Sequence, residues 1–280
     1  MRLLAPAKLN LFLRVLGCRP DGYHELQTLF QKITLFDEVE LFKARGIALE
    51  VEGEAPPGRA NLCFQAARLF LREAAVEGGV FIRLYKRIPP GTGLGGGSSD
   101  AAAVLQGLTR LYPGHFSSEA LFRMGLRLGA DVPFFLSPYS TALGEGVGER
   151  LTPWPTFSAW YVVAVPPFRV STAWAYAHLS GLKGKRPFSC GPEDFSWENL
   201  LNDFEELIWR TYPELARLAE NLRSCGALAA HLTGTGSALF GVFVARDEAE
   251  KTAKKLARAF PRIRFWVVTN FDLQCGGLEN

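Results

Sequence analysis

A glycine-rich segment near the middle of the chain constrains the fold more than any other part of the sequence. Residues 89–102 read Pro-Pro-Gly-Thr-Gly-Leu-Gly-Gly-Gly-Ser-Ser-Asp-Ala-Ala, with five glycines within seven residues. Each glycine costs conformational entropy on folding, and we do not expect packing to explain so many. Glycines let the backbone approach a ligand closely and direct several N–H groups into one concavity, which attracts phosphate at a helix N-terminus. The sequence therefore predicts a phosphate-binding loop.

The residues on either side predict a strand before this loop and a helix after it. Residues 80–88 show the alternation of a strand, and residues 101–111 suit a helix. Ser98 and Ser99 would add hydroxyls for phosphate oxygens or for a metal-bound water. The alternative is a flexible surface loop in which Ser99 is an ordinary helix N-cap.

Comparison with known phosphate-binding and hydrolase motifs excludes several types of loop. The chain has no G-x-x-x-x-G-K-[ST] string, which excludes the fold of the P-loop nucleoside triphosphatases. Gly91, Gly93 and Gly96 match the spacing of the dinucleotide-binding fingerprint, but the chain lacks the repeated βαβ units of that fold. The G-x-S-x-G string of serine hydrolases and the H-E-x-x-H string of zinc proteases are also absent.

The pattern of strands and helices along the whole chain predicts an α+β fold in two domains. We expect further strands at residues 9–16, 31–41, 160–165, 239–244 and 263–269, and further helices at residues 61–74, 119–128, 172–179, 199–212, 213–224 and 247–260. For the helix at residues 119–128, Ser118 is the expected N-cap and Gly129 the end. Loop-forming glycines and prolines at residues 144–155 predict a boundary, with domains at residues 1–152 and 153–280.

Composition and charge exclude several classes of protein. Of the 280 residues 48% are hydrophobic, and 31 Lys and Arg nearly balance 28 Asp and Glu, which excludes a disordered chain. No apolar stretch approaches the roughly 18 residues that cross a membrane, and the N-terminus lacks the apolar core of a signal peptide. Five cysteines without a C-x-x-C pair argue against a disulfide framework and a zinc site. We therefore expect a soluble cytoplasmic protein.

The glycine-rich segment resembles the central motif of a kinase family. Its string P-x-x-x-G-L-G-G-G-S-S-x-A-A is similar to that of the GHMP kinase superfamily, which includes galactokinase, homoserine kinase and mevalonate kinase. Residues 6–13 (PAKLNLFL) and 19–26 (RPDGYHEL) resemble the signature of one branch, whose members phosphorylate a cytidine-diphosphate-linked methylerythritol. Residues 129–135 (GADVPFF) and 232–238 (LTGTGSA) complete a match that spans most of the chain.

This resemblance implies a fold and an activity. It implies a two-domain GHMP kinase fold, with an N-terminal ribosomal-protein-like ATP-binding domain, a C-terminal ferredoxin-like domain and the active site in the cleft between them. The implied reaction is the ATP-dependent phosphorylation of the 2-hydroxyl of 4-diphosphocytidyl-2-C-methyl-D-erythritol, which gives the 2-phosphate and ADP in the non-mevalonate isoprenoid pathway. ATP would be the co-substrate together with Mg²⁺, with no metal site in the protein itself.

Two charged residues acquire catalytic roles through the resemblance. Asp131 follows a predicted helix, and in isolation such an Asp is more often a turn residue than a base. The family motif implies that it is the general base for the substrate hydroxyl. Lys8 alone could extend from a strand edge toward solvent; in the family it lies beside the Asp, keeps it ionised and bonds the reacting oxygen or the transferred phosphate. The presence of both disfavours a catalytically inactive nucleotide-binding protein.

The N-terminal motifs also imply a substrate site. Asn10 follows Lys8 by two residues, so both project from the same face of a strand. The resemblance implies that Tyr23 stacks on the cytosine, that His24 hydrogen-bonds the base edge, and that Tyr176 provides the opposite aromatic face. The alternative is that residues 21–22 form a simple turn and that Tyr23 is its packing residue.

The implied binding residues fall into two groups. The resemblance implies ATP binding by Pro89, Gly91, Gly93, Leu94, Gly95, Gly96, Gly97, Ser98 and Ser99, with Asn61 and Lys86 at the border of the adenine pocket. It implies substrate binding by Asn10, Tyr23, His24, Tyr176, Gly234, Thr235 and Gly236. For the last three, which form a second glycine turn, a plain hairpin or strand-entry turn is the alternative.

Asp100 departs from the family pattern, because some relatives have Asn at this position. An acid near a phosphate repels it unless the carboxylate faces a metal or caps the helix. We expect Asp100 to cap the helix from its first turn.

Other functions remain open on these residues. A kinase acting on homoserine or mevalonate is disfavoured by the N-terminal signature. A nucleic-acid binder is disfavoured because the basic residues at 247–260 indicate a solvated helix face rather than a dense basic stripe. We expect a small-molecule substrate, no nucleic-acid or membrane partner, and a monomer or weak homodimer.

Overall fold

The computed structural model of the protein describes residues 1–180, 187–188 and 191–271, so Cys190 and Cys275 lie outside the described residues. The chain forms two compact units. Unit 1 comprises Met1–Ala7, Leu35–Pro90 and Gly95–Pro138, and unit 2 comprises Lys8–Thr34, Gly91–Leu94 and the chain from Tyr139 onward. Both units are discontinuous in sequence, whereas the predicted domains are continuous stretches, and the domain boundary at residue 152 stays a prediction.

The secondary structure is mixed, as an α+β fold requires. The strands are β1 (Arg2–Cys18), β2 (His24–Ala44), β3 (Ile47–Glu52), β4 (Gly79–Tyr85), β5 (Thr141–Gly146), β6 (Arg150–Pro153), β7 (Trp160–Val165), β8 (Ala229–Leu232), β9 (Leu239–Phe243) and β10 (Arg264–Thr269). The helices are α1 (Leu62–Glu73), α2 (Gly96–Leu111), α3 (Ser118–Leu128), α4 (Val132–Leu136), α5 (Thr172–His178), α6 (Glu205–Thr211), α7 (Pro213–Ser224) and α8 (Arg246–Ala259). Short 3₁₀ helices lie at Gly58–Ala60, Pro192–Asp194 and Trp197–Asn199.

In unit 1, strand β4 lies between β3 and the later part of β2. It is parallel to β3 and antiparallel to β2. Alternate residues of β4, namely Val80, Ile82 and Leu84, are fully buried, because successive side chains of a strand point to opposite faces. Helix α1 packs against α2, and α4 packs against both α2 and α3.

Unit 2 contains an antiparallel sheet with the strand order β10-β7-β9-β8. Helices α7 and α8 pack on this sheet. In α7 the apolar side chains Leu215, Leu218 and Leu222 recur at helical spacing and form one buried stripe. The earlier part of β2 pairs with β5, which pairs in turn with β6. The core of unit 2 lies between the sheet and its helices.

Strongly periodic segments were predicted well. The helix predicted at residues 213–224 coincides with α7, and the strand predicted at residues 160–165 coincides with β7. The other predicted elements are present with shifted ends. Strands β3 and β8 and helix α4 have no predicted counterpart, since each has at most six residues and too little periodicity to detect.

Three helices begin earlier than predicted, one of them α8, which begins at Arg246 rather than at residue 247. Helix α2 starts at Gly96 rather than at residue 101, because glycine and serine are poor helix formers in isolation and conceal the first turn. The N-cap of α3 is Ser117, whose hydroxyl accepts a hydrogen bond from the Ala120 amide at 3.3 Å. The prediction of Ser118 as N-cap is therefore wrong by one residue, whereas Gly129 does end α3.

Two predicted connections are also wrong. Residues 144–155, expected as a loop, include most of the β5–β6 hairpin. Gly144 pairs with β2 and β6 as part of β5, and a Cβ there would lie 2.7 Å from the Phe30 ring, so this glycine makes room for an aromatic side chain. The helix predicted from residue 199 begins only at Glu205, since the backbone around Asn202 bonds instead to β1 at Leu13.

Within the described ranges, no helix is both long enough and apolar enough to cross a membrane.

Candidate active site

The glycine-rich loop leads directly into helix α2. Gly95 is the N-cap, with a φ of 72° in the left-handed region that glycine tolerates. The first bond of the helix runs from the Ser99 amide to the Gly95 carbonyl at 3.0 Å. The amides of Gly96, Gly97 and Ser98 precede it and lie at the positive end of the helix dipole. This arrangement suits an anion such as phosphate.

Two glycines of the loop are also required by close packing. At Gly93 a Cβ would lie 2.1 Å from the Thr233 carbonyl oxygen, and φ is +87°. At Gly96 it would lie 2.9 Å from the Ile88 side chain and 3.2 Å from the Lys86 ammonium nitrogen. The expectation that packing does not explain the glycines is therefore wrong for these two positions.

The remaining loop residues differ in exposure. Gly91 and Gly97 are exposed, Gly93, Gly95 and Ser98 are half-buried, and Pro89, Leu94, Gly96 and Ser99 are buried. The side chain of Arg169 lies against Gly91, where a Cβ would be 3.1 Å from Arg169 Cδ.

A buried charge cluster in unit 1 joins the strand before the loop to the helix after it. The Lys86 ammonium donates to the Asp37 carboxylate and, at 2.7 Å, to Asp100 Oδ2. The other oxygen of Asp37 accepts hydrogen bonds from the backbone amides of Arg87 and Ile88. All three charged side chains are at most 3% exposed. The cluster thus fixes residues 86–88 and the second turn of α2 to β2.

Burial and charge decide where the protons of this cluster lie. Burial raises the pKa of the Asp100 carboxyl to about 8, against an ordinary 3.8, although the Lys86 ammonium acts in the opposite direction. Burial lowers the pKa of the Lys86 ammonium, but Asp100 and Asp37 outweigh this and raise it overall. One ammonium between two ionised carboxylates would leave a net negative charge in the interior. A proton on Asp100 makes the cluster neutral.

Asp100 is therefore a buried hydrogen-bond partner of Lys86 and not a helix cap. It lies in the second turn of α2, and Gly95 is the N-cap, so the predicted capping role of Asp100 and the alternative N-cap role of Ser99 are both wrong. Ser99 Oγ and Asp100 Oδ1 are buried and have no hydrogen-bond partner among the described residues. Because buried polar atoms are rarely unpaired, Ser99 Oγ fits a hydroxyl that meets a phosphate oxygen or a metal-bound water.

Asn61 has a structural role at the start of α1. Its side-chain oxygen accepts a hydrogen bond from the Cys63 amide at 2.9 Å, and its NH₂ group donates to the Pro56 carbonyl at 3.0 Å. The role of Asn61 and Lys86 at an adenine pocket stays a prediction.

Lys8 and Asn10 lie together in unit 2, on one face of β1 as predicted. The Lys8 ammonium donates to Asn10 Oδ1 and lies 5.7 Å from the centre of the Phe30 ring. The backbone amide of Lys8 donates to the carbonyl of Leu94 in the glycine-rich loop at 2.9 Å. Lys8 and Asn10 are both buried. The strand thus presents an ammonium in the same unit as residues 91–94 of that loop.

Asp131 lies in unit 1, immediately before α4, and its side chain does not cap that helix. Gly129, two residues earlier, approaches the loop, since a Cβ there would lie 3.7 Å from Ser98 Oγ. The turn that carries Asp131 therefore neighbours the first turn of α2. The pairing of Asp131 with Lys8 stays a prediction.

The aromatic residues of the N-terminal motif lie in unit 2. The rings of His24 and Tyr176 are 4.6 Å apart, centre to centre, with 35° between their planes. Tyr23 follows a turn at Asp21, whose carboxylate accepts from the Tyr23 amide at 3.1 Å, and the residue is 63% exposed. That exposure argues against the alternative in which Tyr23 only packs the turn.

The second glycine turn is held by side chains from three places in unit 2. Asn202 Nδ2 donates to the Gly234 carbonyl at 2.8 Å, and the Thr235 and Thr172 hydroxyls are 3.1 Å apart. The Thr233 hydroxyl lies 3.2 Å from the Gly93 carbonyl. The turn at Gly234, Thr235 and Gly236 joins the paired strands β8 and β9, so it is a hairpin as the alternative expects, and Thr233 beside it also contacts the first glycine loop.

The side chains that hydrogen-bond to the predicted site residues were not predicted from the sequence. Asp37, Thr28, Asn202 and Thr233 hold the predicted groups, yet none was assigned a role. Polar residues inside otherwise apolar strands are the signal that points to Asp37 and Thr28. Thr233 and Asn202 lie far in sequence from the residues they hold, and no local pattern connects them.

Known families and relatives match this chain along most of its length. Residues 61–138 match the description "GHMP kinases N terminal domain", and residues 194–262 match "GHMP kinases C terminal". The 4-diphosphocytidyl-2-C-methyl-D-erythritol kinase of Citrifermentans bemidjiense is 40% identical over 268 residues, which are 92% of this chain and 95% of the relative. The enzyme of that name from a Pseudomonas putida strain is 41% identical over 260 residues, 92% and 89% of the two chains.

Solved structures match it as well. A crystal structure of 4-(cytidine 5'-diphospho)-2C-methyl-D-erythritol kinase has a TM-score of 0.82 at 40% identity and covers 96% of this chain and 99% of its own. Homoserine kinase from Cytophaga hutchinsonii has a TM-score of 0.75 at 18% identity, with coverage of 97% and 94%, and this likeness concerns the fold alone.

The Asp100 carboxyl should make stability fall with rising pH. Its pKa is raised in the folded protein, so the folded state holds this proton between about pH 4 and 8 while the unfolded chain loses it. Relative to the wild type, Asp100→Asn should gain up to about 1.4 kcal/mol of unfolding free energy per pH unit in this range. Urea unfolding between pH 5 and 8 measures this difference in unfolding free energy. Glu50→Gln, which changes an exposed carboxylate, is the control. A constant difference between Asp100→Asn and wild type would contradict the assignment.

Gly93 and Gly97 provide a matched pair for testing the loop. Gly93→Ala places a methyl group against the Thr233 carbonyl at a positive φ, and we expect a loss of at least about 2 kcal/mol in unfolding free energy. At Gly97 the nearest atom is Leu62 Cδ1 at 3.6 Å, so Gly97→Ala should change it by no more than about 1 kcal/mol. Urea unfolding compares them, and equal losses would show that the close approach at Gly93 is unimportant.

Proposed function

The chain belongs to the GHMP kinases and, within them, to the 4-diphosphocytidyl-2-C-methyl-D-erythritol kinases, and we propose that it transfers the γ-phosphoryl group of ATP to the 2-hydroxyl of 4-diphosphocytidyl-2-C-methyl-D-erythritol. The products are the 2-phosphate and ADP, in the non-mevalonate route to isoprenoid precursors. The observation that carries this proposal is the start of α2 inside the glycine-rich loop, with three amides ahead of the first helical bond. The two-domain α+β fold expected from the motifs is confirmed.

Phosphoryl transfer is mainly a matter of position and charge. The transferred group passes through a loose transition state with charge on its outer oxygens, and catalysis consists of holding the groups in line and stabilising that charge. The amides of Gly96, Gly97 and Ser98 supply fixed dipoles for the phosphates of ATP, and the Ser99 hydroxyl supplies a further donor. Because the Lys86 cluster holds both ends of the loop, these donors are in place before ATP binds.

Lys8 and Asp131 then perform the chemical step. Asp131 accepts the proton of the 2-hydroxyl as its oxygen attacks the γ-phosphorus, and the bond to the ADP oxygen breaks on the opposite side. The Lys8 ammonium stabilises negative charge on the reacting oxygen and on the phosphoryl group. Buried in unit 2, it interacts more strongly with these charges than it would in water.

The cytidine end of the substrate is assigned to the aromatic residues of unit 2. Tyr23, with its exposed ring, is suited to stack on a base, and His24 beside Tyr176 can hydrogen-bond the base edge. The turn at Gly234, Thr235 and Gly236 would contact the diphosphate or the alcohol. Lys8 and Asn10 lie in the same unit, which supports placing the acceptor alcohol there.

Mg²⁺ is proposed to enter as part of the substrate, bound to ATP. It would neutralise charge on the β- and γ-phosphates. Ser98 and Ser99 at the start of α2 are the residues of this chain suited to meet such an ion or its water, since the Ser99 hydroxyl has no partner among the described residues. We further propose that the protein acts in the cytoplasm on a small molecule, without a nucleic-acid or membrane partner, as a monomer or weak homodimer.

Substrate choice tests the function directly. Purified protein with ATP, Mg²⁺ and 4-diphosphocytidyl-2-C-methyl-D-erythritol should release ADP in a coupled assay, and phosphorus NMR should show a new phosphate monoester. Homoserine and mevalonate serve as matched acceptors and should release none. Release of ADP with either of them, but not with the cytidylyl alcohol, would sink the proposal.

Asp131→Asn tests the general base. An amide cannot accept the proton, so kcat should fall by about 10²- to 10⁴-fold while the KM values change little. Asp247→Asn, in the exposed first turn of α8, is the control and should behave like the wild type. A kcat near that of the wild type for Asp131→Asn would remove Asp131 from this role.

A further inference from the structure

We propose that Thr28 is a positioning residue for the transfer, because its hydroxyl orients the side-chain amide of Asn10 so that the amide oxygen faces the Lys8 ammonium. This inference rests on the proposed function, which assigns the Lys8 ammonium to the reaction. Thr28 lies in β2, and its side chain is completely buried although it is polar.

The single proton of the Thr28 hydroxyl is already engaged. Thr28 Oγ1 donates to the Phe12 carbonyl at 2.6 Å. The same oxygen lies 2.8 Å from Asn10 Nδ2. A hydroxyl has one proton and two lone pairs, so toward Asn10 it acts only as an acceptor. Asn10 must therefore turn its NH₂ group to Thr28, which places its oxygen on the other side.

The oxygen oriented in this way meets Lys8. Asn10 Oδ1 accepts from the Lys8 ammonium. If the amide were reversed, its NH₂ group would face the ammonium and its oxygen would face a hydroxyl without a free proton. Lys8, Asn10 and Thr28 are all buried, so the reversed amide would leave polar groups unpaired where water does not readily replace the lost partner.

The backbone of Asn10 is held separately. The Asn10 amide donates to Thr233 Oγ1 at 3.0 Å, and this hydroxyl is itself fully buried. With the main chain fixed by Thr233, the remaining freedom of Asn10 is the rotation of its side-chain amide. Thr28 restricts that rotation at the NH₂ group, where its oxygen is the acceptor, and the Thr233 hydroxyl lies 3.4 Å from the amide oxygen on the other side.

The orientation of Asn10 affects catalysis through the position of the Lys8 ammonium nitrogen. Lysine carries its charge on a flexible four-carbon chain, and the hydrogen bond to Asn10 is a directional constraint on its end. A displacement of about 1 Å in a reacting group can cost about 100-fold in rate. Loss of Thr28 should therefore affect the chemical step more than the binding of ATP.

Kinetics of Thr28 variants test this role. Thr28→Val replaces the hydroxyl by a methyl group of similar shape, and kcat should fall at least about 10-fold while the KM for ATP stays within about 3-fold. Thr28→Ser keeps the hydroxyl and should recover most of the loss. In a Lys8→Met background, Thr28→Val should change kcat by less than about 2-fold, since the group that it positions is gone.

Three kinetic results would overturn the proposal. They are a wild-type kcat in Thr28→Val, a serine variant as impaired as the valine variant, and equal losses with and without Lys8. Thermal melts accompany each variant, and Thr28→Ala, which inserts no larger group, replaces Thr28→Val if the latter does not fold.

Proton–nitrogen NMR of the substrate-free protein tests the amide orientation without any activity. The side-chain NH₂ signals of Asn10, assigned by their loss in Asn10→Asp, should shift in Thr28→Val and remain in place in Thr28→Ser. If they behave in this way while the wild type shows no kinase activity, the proposed function fails and the orienting role of Thr28 stands. Unchanged Asn10 signals in Thr28→Val would overturn that role, whatever the activity.

Discussion

The ammonium of Lys86, buried between the carboxyl groups of Asp37 and Asp100, holds the two ends of the glycine-rich loop in unit 1. Asp37 also accepts hydrogen bonds from the backbone amides of Arg87 and Ile88, which precede the loop. Asp100 lies in α2, the helix that follows the loop. Burying an ion costs several kcal/mol unless its partners are well placed. Here the Lys86 ammonium donates a direct hydrogen bond to each of the two carboxyl groups. A Cβ at Gly96 would crowd the Ile88 side chain at 2.9 Å and the Lys86 ammonium nitrogen at 3.2 Å. The two ends of the loop are therefore fixed by a charged group that is buried away from solvent.

In unit 2, neutral side chains hold the charged group through hydrogen bonds. Asn10 is held through its side chain by Thr28 and through its backbone by Thr233, and it holds Lys8 in turn. In both units, polar side chains occupy strand positions that apolar residues would otherwise fill. Such groups are tolerated in the interior because their donors and acceptors are matched. Their net contribution to stability is small, and their effect is to select one arrangement of charged groups among many.

The extent to which the sequence predicted these features follows from the range of the interactions. Helix α7 was predicted to the residue because its apolar stripe is local, and the loop was recognised because its composition is unusual. Asp100 was assigned to a helix cap because the rule for caps considers only neighbouring residues, whereas its actual partner is Lys86, 14 residues earlier. The link from Asn10 to Thr233 spans 223 residues, and no local pattern contains it. Gly93 was attributed to ligand binding for the same reason, since the carbonyl that requires it lies in another motif.

The close approach of Gly93 to Thr233 has a consequence for the newly made chain. Their hydrogen-bonded groups are 140 residues apart in sequence, so the first glycine turn emerges from the ribosome long before the segment that packs against it. At about 5 to 20 residues per second, the interval is about 7 to 28 s. During this time strand β4 and helix α2 can form, but the segment around Thr233, against which Gly93 packs, has not yet been made. The ability to bind a nucleotide tightly should therefore appear late in synthesis, after most of the second half of the chain has been made.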